Sequence, residues 1–149
     1  MFWDKIAGIY DLYQIMNSKV NNKVASICAS YITKDDVVLE CACGTGIMTK
    51  VIALPSKKLI ATDFSKPMIK KAKNNLKKYD NIQFKFADIT KLPFKDNCFD
   101  KVVAANVIHL LDNPENTLAE LKRVVKPSGL IMVPTYVAEE TTKIGRAHV

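Results

Sequence analysis

Apolar residues along this chain follow two rhythms, one helical and one typical of buried strands. Over residues 2–31 they recur every three or four positions, beginning with Phe2, Ile6 and Ile9, and this spacing predicts helical structure. Beyond residue 31, short apolar runs alternate with amphipathic segments. The runs predict strands at 36–41, 58–62, 82–87, 100–105 and 129–135, and the segments predict helices at 46–54, 66–78 and 114–125.

This alternation of strands and helices predicts an α/β fold. Strands that alternate with helices form a mostly parallel sheet with helices on both faces. The 149 residues suit a single domain, and a hydrophobic content of 48% supports a sizeable core. Pro67 lies near a predicted helix start and Pro127-Ser128-Gly129 follows a predicted helix end, as expected of residues that punctuate helices.

The most informative segment is the first predicted strand and the turn after it, Val37 to Gly46. A short apolar run leads to Glu40, and small residues then close on Gly44-Thr45-Gly46. Glycine lets a backbone turn tightly and approach a ligand, because it carries no Cβ. A strand, a glycine turn and a helix start at the carboxyl edge of a parallel sheet form a nucleotide-type site.

The spacing of the glycines narrows the choice of nucleotide. The dinucleotide fingerprint requires Gly-x-Gly-x-x-Gly, but the sixth position counted from Gly44 is Thr49. A P-loop is excluded, because no Gly-Lys-Ser/Thr follows. Glu40 would repel a pyrophosphate and attract a cation. S-adenosylmethionine has a sulfonium, an ammonium and no phosphate, so the segment favours it over a nicotinamide cofactor.

The segment Glu40-Cys41-Ala42-Cys43-Gly44-Thr45-Gly46 resembles motif I of the class I (Rossmann-like) S-adenosylmethionine-dependent methyltransferases, acid-x-Gly-x-Gly-x-Gly. Ala42 replaces the first glycine. Alanine fits without strain if its φ is negative, whereas a positive φ would strain it.

Later segments resemble the same family in order, so that the resemblance covers residues 2–137. The resemblance implies that Asp63 binds the ribose hydroxyls and that Phe64 and Met68 lie against the adenine. It also implies that Asp88-Ile89 recognises the adenine, with the carboxylate accepting from the exocyclic amine. A carboxylate has two oxygens to accept from a vicinal diol. The cofactor residues implied in total are Tyr10, Glu40, Ala42, Cys43, Gly44, Thr45, Gly46, Asp63, Phe64, Met68, Asp88, Ile89 and Asn106.

Several of these residues have alternative roles. Asp63 is a candidate helix cap, although Ser65 is better placed for that role. Asp88 is a candidate cap of the turn before Thr90. Asn106 either contacts the ligand or bonds local backbone. His109 is either a general base near the same edge or a histidine packed under the next helix, and no catalytic residue is assigned.

The N-terminal segment Phe2 to Asp11 resembles the entry helix of quinone-ring and related small-molecule methyltransferases. In those proteins the helix lies over the cofactor as a lid, which would make Tyr10 a contact. The alternative is an ordinary amphipathic packing helix.

Charge and cysteine content argue against several other classes of protein. The net charge of +7 comes almost wholly from lysines, many of them around the helix predicted at 66–78. Arginine forks and interleaved aromatics are missing, so a solvated face is preferred over a nucleic-acid site. Cys28, Cys41, Cys43 and Cys98 match neither a zinc site nor a disulfide framework, which predicts free thiols and a cytoplasmic protein. No apolar stretch of membrane-spanning length or secretory signal is present.

The C-terminal residues suggest a shortened fold. Residues 144–149, Ile-Gly-Arg-Ala-His-Val, correspond to the codons ATC GGA AGA GCA CAC GTC of a widely used sequencing adapter. We therefore expect a methyltransferase domain at 1–143, with its lid at 2–31, an adapter-derived tail at 144–149, and a sheet that lacks the family's last strand pair.

The function predicted from the sequence is methyl transfer from S-adenosylmethionine to a small or lipid-like acceptor, without nucleic-acid partners. The alternatives are a truncated, non-catalytic cofactor-binding fragment and a nicotinamide-dependent dehydrogenase.

Overall fold

The computed structural model describes residues 18–137 and 146–148 and has alternating strands and helices, as the sequence predicts. The helices are α1 (Ser18–Ala29), α2 (Thr49–Ala53), α3 (Lys66–Asn75) and α4 (Pro114–Val124), with a 3-10 turn at Ile108–Leu110. The strands are β1 (Val37–Cys41), β2 (Lys58–Asp63), β3 (Ile82–Phe86), β4 (Phe99–Ala104), β5 (Val125–Met132), β6 (Thr135–Val137) and β7 (Arg146–His148).

The first five strands form one parallel sheet in the order β3-β2-β1-β4-β5. At its centre Leu39 pairs with Ile60 on one side and Val102 on the other. β6 and β7 form a separate antiparallel pair. The Rossmann-like sheet is thereby confirmed, and in the part of the chain described here no final strand pair extends it.

Helices cover both faces of this sheet. Successive side chains of a strand point to opposite faces, so the apolar residues of each strand contribute to two separate cores. On one face, Val38 of β1 joins a core with Val24 of α1 and Ile52 of α2. On the other, Leu39 packs in a core that includes Leu121 of α4. A strand buried on both faces requires a nearly continuous apolar run, as β1 has.

Two elements begin three or more residues away from the predicted position. α2 begins at Thr49 rather than at residue 46, because the preceding turn has positive φ at Gly44 (56°) and Gly46 (95°), which is incompatible with a right-handed helix.

β5 begins at Val125 directly after α4, rather than at residue 129. Pro127-Ser128-Gly129 therefore forms an irregularity inside β5 instead of a turn before it, and the register passes from Phe99↔Val125 to Lys101↔Leu130. Pro127 cannot donate to a ladder. A Cβ at Gly129 would lie 2.7 Å from the Asp100 carbonyl oxygen.

The predicted helix at 2–31 is confirmed over α1. Its remainder, including Tyr10, lies outside the described residues, as do residues 144, 145 and 149. In the described ranges, no helix is long and apolar enough to cross a membrane.

Candidate functional site

Two adjoining cavities open at the carboxyl ends of the parallel strands, where sheets of this type bind ligands. The larger has a volume of about 230 Å³ and the smaller about 40 Å³, and Ala42 and Asn106 line both. The larger cavity is also lined by Gly44, Thr62, Asp63, Phe64, Ser65, Met68, Ala87, Asp88, Ile89, Val107, Leu110 and Leu111. The smaller is also lined by Asn21, Glu40, Cys41, Cys43, Thr45, Ile47, Met48, Val103 and Ala105.

These cavities bring together the predicted site residues, with two exceptions. Tyr10 lies outside the described residues. Gly46 lines neither cavity. Its φ is 95°, and a Cβ there would lie 2.7 Å from Cδ1 of Leu76, just beyond α3. The absence of a side chain at Gly46 therefore serves close packing against Leu76 rather than contact with either cavity.

The turn after β1 is held in an unusual backbone conformation. Ala42 has a φ of 56°, so the condition under which alanine would fit without strain is not met. Residues other than glycine rarely adopt this region, and asparagine is among the commonest exceptions. The turn is anchored to β2, because the Cys43 N–H donates to the Thr62 carbonyl oxygen at 2.9 Å. Ala42 thus occupies a strained position in the wall shared by both cavities.

Glu40 is a buried acid with an unsatisfied oxygen at the smaller cavity. Its Oε1 accepts from the Thr49 hydroxyl at 2.7 Å, whereas its Oε2 has no hydrogen-bond partner among the described residues. Burial raises the pKa of Glu40 to about 8, with the Thr49 hydrogen bond opposing this rise and the negative charge of Asp63 adding to it.

A second orphaned polar atom lines the same cavity. Thr45 is buried, and its Oγ1 also lacks a partner in the described part of the chain. Buried polar groups are nearly always hydrogen-bonded. An ammonium carries three donors, so it suits both the Glu40 and the Thr45 oxygens. The smaller cavity therefore has two oxygens that lack a hydrogen-bond donor, and the ammonium at the amino-acid end of S-adenosylmethionine would supply donors to both.

Asp63 ends β2 with its carboxylate held in place at the larger cavity. Its Oδ2 accepts from the Gly44 N–H at 2.9 Å, and its Oδ1 accepts from the Ser65 N–H at 3.0 Å. Ser65 is the N-cap of α3, accepting from the Met68 N–H, as the sequence predicts. Each carboxylate oxygen has two lone pairs, so a carboxylate can accept from a backbone N–H and from a ligand hydroxyl at the same time.

Asp88 caps the turn before Thr90, which was one of the two roles considered for it, and it also lies at the larger cavity. Its Oδ1 accepts from the Thr90 N–H at 2.9 Å and from the Thr90 hydroxyl at 2.7 Å, so it caps a turn. The same residue lines the larger cavity beside Ile89. The turn orients Asp88 at the cavity wall.

Asn106 resembles Ala42 in its backbone, with a φ of 53°, and its N–H donates to the Pro134 carbonyl oxygen at 2.9 Å. Asparagine tolerates this region better than alanine. This bond joins main-chain groups that are distant in the sequence, so the choice between ligand contact and local backbone bonding stays a prediction; the residue lines both cavities. His109 is exposed and lines neither cavity, so it is neither packed under α4 nor placed at the site.

The structure adds an apolar wall that the sequence analysis missed. Val107, Leu110 and Leu111 line the larger cavity, and Leu110 is 55% exposed. The signal in the sequence was an apolar run after β4 without helical spacing. Asn21 of α1 also lines the smaller cavity, and no local motif marked it.

The cysteines act as small buried apolar residues rather than reactive groups. In the described ranges all four are free, and Cys28, Cys41 and Cys43 are buried. Burial raises the pKa of Cys28 to about 11 and that of Cys41 to about 12, so both remain protonated thiols at neutral pH. The described residues contain no cluster of side chains suited to hold a metal ion.

Comparison with known proteins agrees with this geometry. A family model described as a methyltransferase domain matches residues 39–133. Demethylmenaquinone methyltransferase of Clavibacter sepedonicus is 31% identical over 134 residues, covering 88% of this chain and 55% of that protein. The ubiquinone/menaquinone biosynthesis C-methyltransferase UbiE of Hahella chejuensis is 32% identical over 140 residues, covering 88% and 56%.

Solved structures show the same fold. A SAM-dependent methyltransferase from Aquifex aeolicus has a TM-score of 0.65 at 27% identity, over 75% of this chain and 62% of that one. The YcgJ protein from Bacillus subtilis has a TM-score of 0.73 at 21% identity, over 80% and 53%.

The fold and the acid-and-glycine strand end together define a Rossmann-like cofactor domain. With the family match added, the chain belongs to the class I S-adenosylmethionine-dependent methyltransferases, whose domain binds S-adenosylmethionine. It spans about half the length of the curated relatives it matches.

Proposed function

We propose that this chain binds S-adenosylmethionine across both cavities and takes part in methyl transfer to a small, largely apolar acceptor. The observation that carries the proposal is the pair of orphaned buried oxygens on Glu40 and Thr45. Both residues line the smaller cavity, and Asp63 lines the adjoining larger cavity. This arrangement suits a ligand with an ammonium at one end and a ribose further along.

Each part of the cofactor has a matching group in this proposal. Glu40 and Thr45 accept from the ammonium, Asp63 accepts from the ribose hydroxyls, and Asp88 accepts from the adenine amine. When bound, S-adenosylmethionine supplies an electrophilic methyl group and a good leaving group. The chain therefore contributes mainly proximity and alignment, and no general base is assigned.

The acceptor class follows from the apolar wall. Val107, Leu110 and Leu111 offer no charge to a substrate, and Leu110 is largely exposed. A hydrophobic acceptor would bury this surface favourably. Two matched relatives are named as demethylmenaquinone and ubiquinone/menaquinone methyltransferases, and a quinone is a small, largely apolar acceptor of this kind.

Calorimetry with S-adenosylhomocysteine and with NAD tests cofactor choice. We expect the chain to bind S-adenosylhomocysteine and not NAD. We also expect Glu40→Gln to weaken that binding, because an ammonium beside Glu40 favours the ionised carboxylate, whereas the amide of glutamine cannot ionise. Binding of NAD alone, or binding of S-adenosylhomocysteine that ignores Glu40→Gln, would contradict the proposal.

Activity requires its own experiment, because the chain spans only about half the length of its matched relatives. The measurement is transfer of a radiolabelled methyl group to a demethylated quinone. Cofactor binding without transfer would support the alternative of a non-catalytic binding fragment.

A further inference from the structure

A stacked pair of exposed aromatic rings stands at the rim of the larger cavity. The ring centroids of Phe64 and Phe86 are 5.2 Å apart, with 27° between their planes. The two residues are 48% and 43% exposed. Phe64 lines the cavity, whereas Phe86 does not. One of the two rings therefore meets the cavity and the other supports it from outside.

The backbone beneath the pair is fixed by the sheet. Phe86 ends β3 and lies opposite Asp63, which ends β2 and immediately precedes Phe64. The Ala87 N–H donates to the Asp63 carbonyl oxygen at 3.0 Å, which continues the pairing past the strand end. The two rings thus project from adjacent, hydrogen-bonded strand ends.

A lysine holds the outer ring. The Lys66 Nζ lies 5.5 Å from the centroid of Phe86, within the range of a cation–π interaction. Stacking of aromatic rings and cation–π attraction both restrict the rotamers that an exposed side chain would otherwise sample. The outer ring therefore has two partners, Phe64 and Lys66, although it is 43% exposed.

We propose that Phe86 is a positioning residue for the purine base: it holds the Phe64 ring in the orientation in which that ring stacks on the adenine. The inference rests on the proposed function. Phe86 does not touch the cavity, so its effect on binding must pass through Phe64. A ring that is already ordered loses less side-chain entropy when the ligand binds, and the affinity is correspondingly higher.

Calorimetry with S-adenosylhomocysteine and 5′-methylthioadenosine tests this positioning role. The second ligand has the adenosine part and lacks the amino-acid end. Phe86→Leu should weaken both ligands by the same factor, about three- to tenfold, the size of an aromatic-pair contribution. Glu40→Gln should weaken S-adenosylhomocysteine alone, so that the two ends of the ligand are probed separately.

Two further variants separate positioning from a general structural effect. Phe86→Tyr keeps the ring and should retain wild-type affinity. In a Phe64→Leu background, Phe86→Leu should cost no further affinity, because the ring through which it acts is absent. Tyr31→Leu is the matched control, since Tyr31 is 53% exposed and lines neither cavity, and it should leave both affinities unchanged.

The outcomes distinguish this inference from the proposed function. If the wild-type chain binds neither ligand, both fail. If the wild-type chain binds both ligands and Phe86→Leu binds them equally well, only the positioning role is overturned. The role is also overturned if the Phe86→Leu loss persists undiminished in the Phe64→Leu background.

Discussion

Replacing Ala42 with glycine should stabilise the protein, although the substitution removes a methyl group. The φ of Ala42 is 56°, a region that costs an L-residue about 1–2 kcal/mol. Glycine has no such penalty, but its greater freedom in the unfolded chain offsets about 0.5–1 kcal/mol of the gain. We expect the free energy of unfolding to rise by about 0.5–1 kcal/mol.

Urea unfolding measures this free energy, and thermal unfolding checks it independently. For a chain of this size, the expected gain corresponds to an increase in Tm of about 1–4 °C. The matched control is Ala119→Gly, the same chemical change at an exposed position inside α4. There, glycine should cost about 1 kcal/mol through its poor helix propensity.

The two substitutions should therefore change the free energy of unfolding in opposite directions. If Ala42→Gly destabilises the protein as much as Ala119→Gly does, then Ala42 is not strained in solution and the turn after β1 differs from the one described.

Three further predictions concern the same site. Because the pKa of Glu40 is raised from 4.5 to about 8 in the folded protein, its protonated form contributes stability that is complete below about pH 4.5 and declines as the pH rises through 8. The urea concentration at the midpoint of unfolding should therefore decrease more between pH 6 and pH 9 for the wild type than for Glu40→Gln, and equal decreases would refute this. Asp63→Ala should weaken the binding of S-adenosylhomocysteine by about 10²- to 10⁴-fold, because each of the two proposed ribose bonds to a charged group contributes about 1.5–3 kcal/mol; calorimetry showing unchanged affinity would overturn the assignment. Gly46→Ala should destabilise the fold by about 1–3 kcal/mol in urea unfolding, since its Cβ would lie 2.7 Å from Leu76 and its φ is 95°; a variant as stable as the wild type would disprove this packing role.

Local pattern was sufficient for the order of the elements and for two acids of the candidate site, whereas most of the other candidate residues came from the resemblance to a family. The apolar run of β1 and the rhythm after it predict a parallel sheet, because a strand buried on both faces needs apolar residues throughout. Glu40 and Asp63 were predictable as site residues, since each lies at the carboxyl end of a parallel strand, and all such ends meet at one sheet edge.

Only the tertiary structure decided which role each residue of the turn has. Gly44 and Gly46 look equivalent in the sequence, yet one lines a cavity and the other packs against Leu76, a contact between residues far apart in the chain. The strain at Ala42 likewise depends on a backbone conformation that the hydrogen bond between Cys43 and Thr62 helps to hold.

The sequence by itself determined the order of strands and helices and the acids at their ends, because periodicity and strand polarity are local properties. Tertiary structure decided the orphaned oxygen of Glu40, the apolar wall formed by Leu110 and the pairing of Phe64 with Phe86. Burial and stacking depend on which distant segments meet, and no local pattern specifies that.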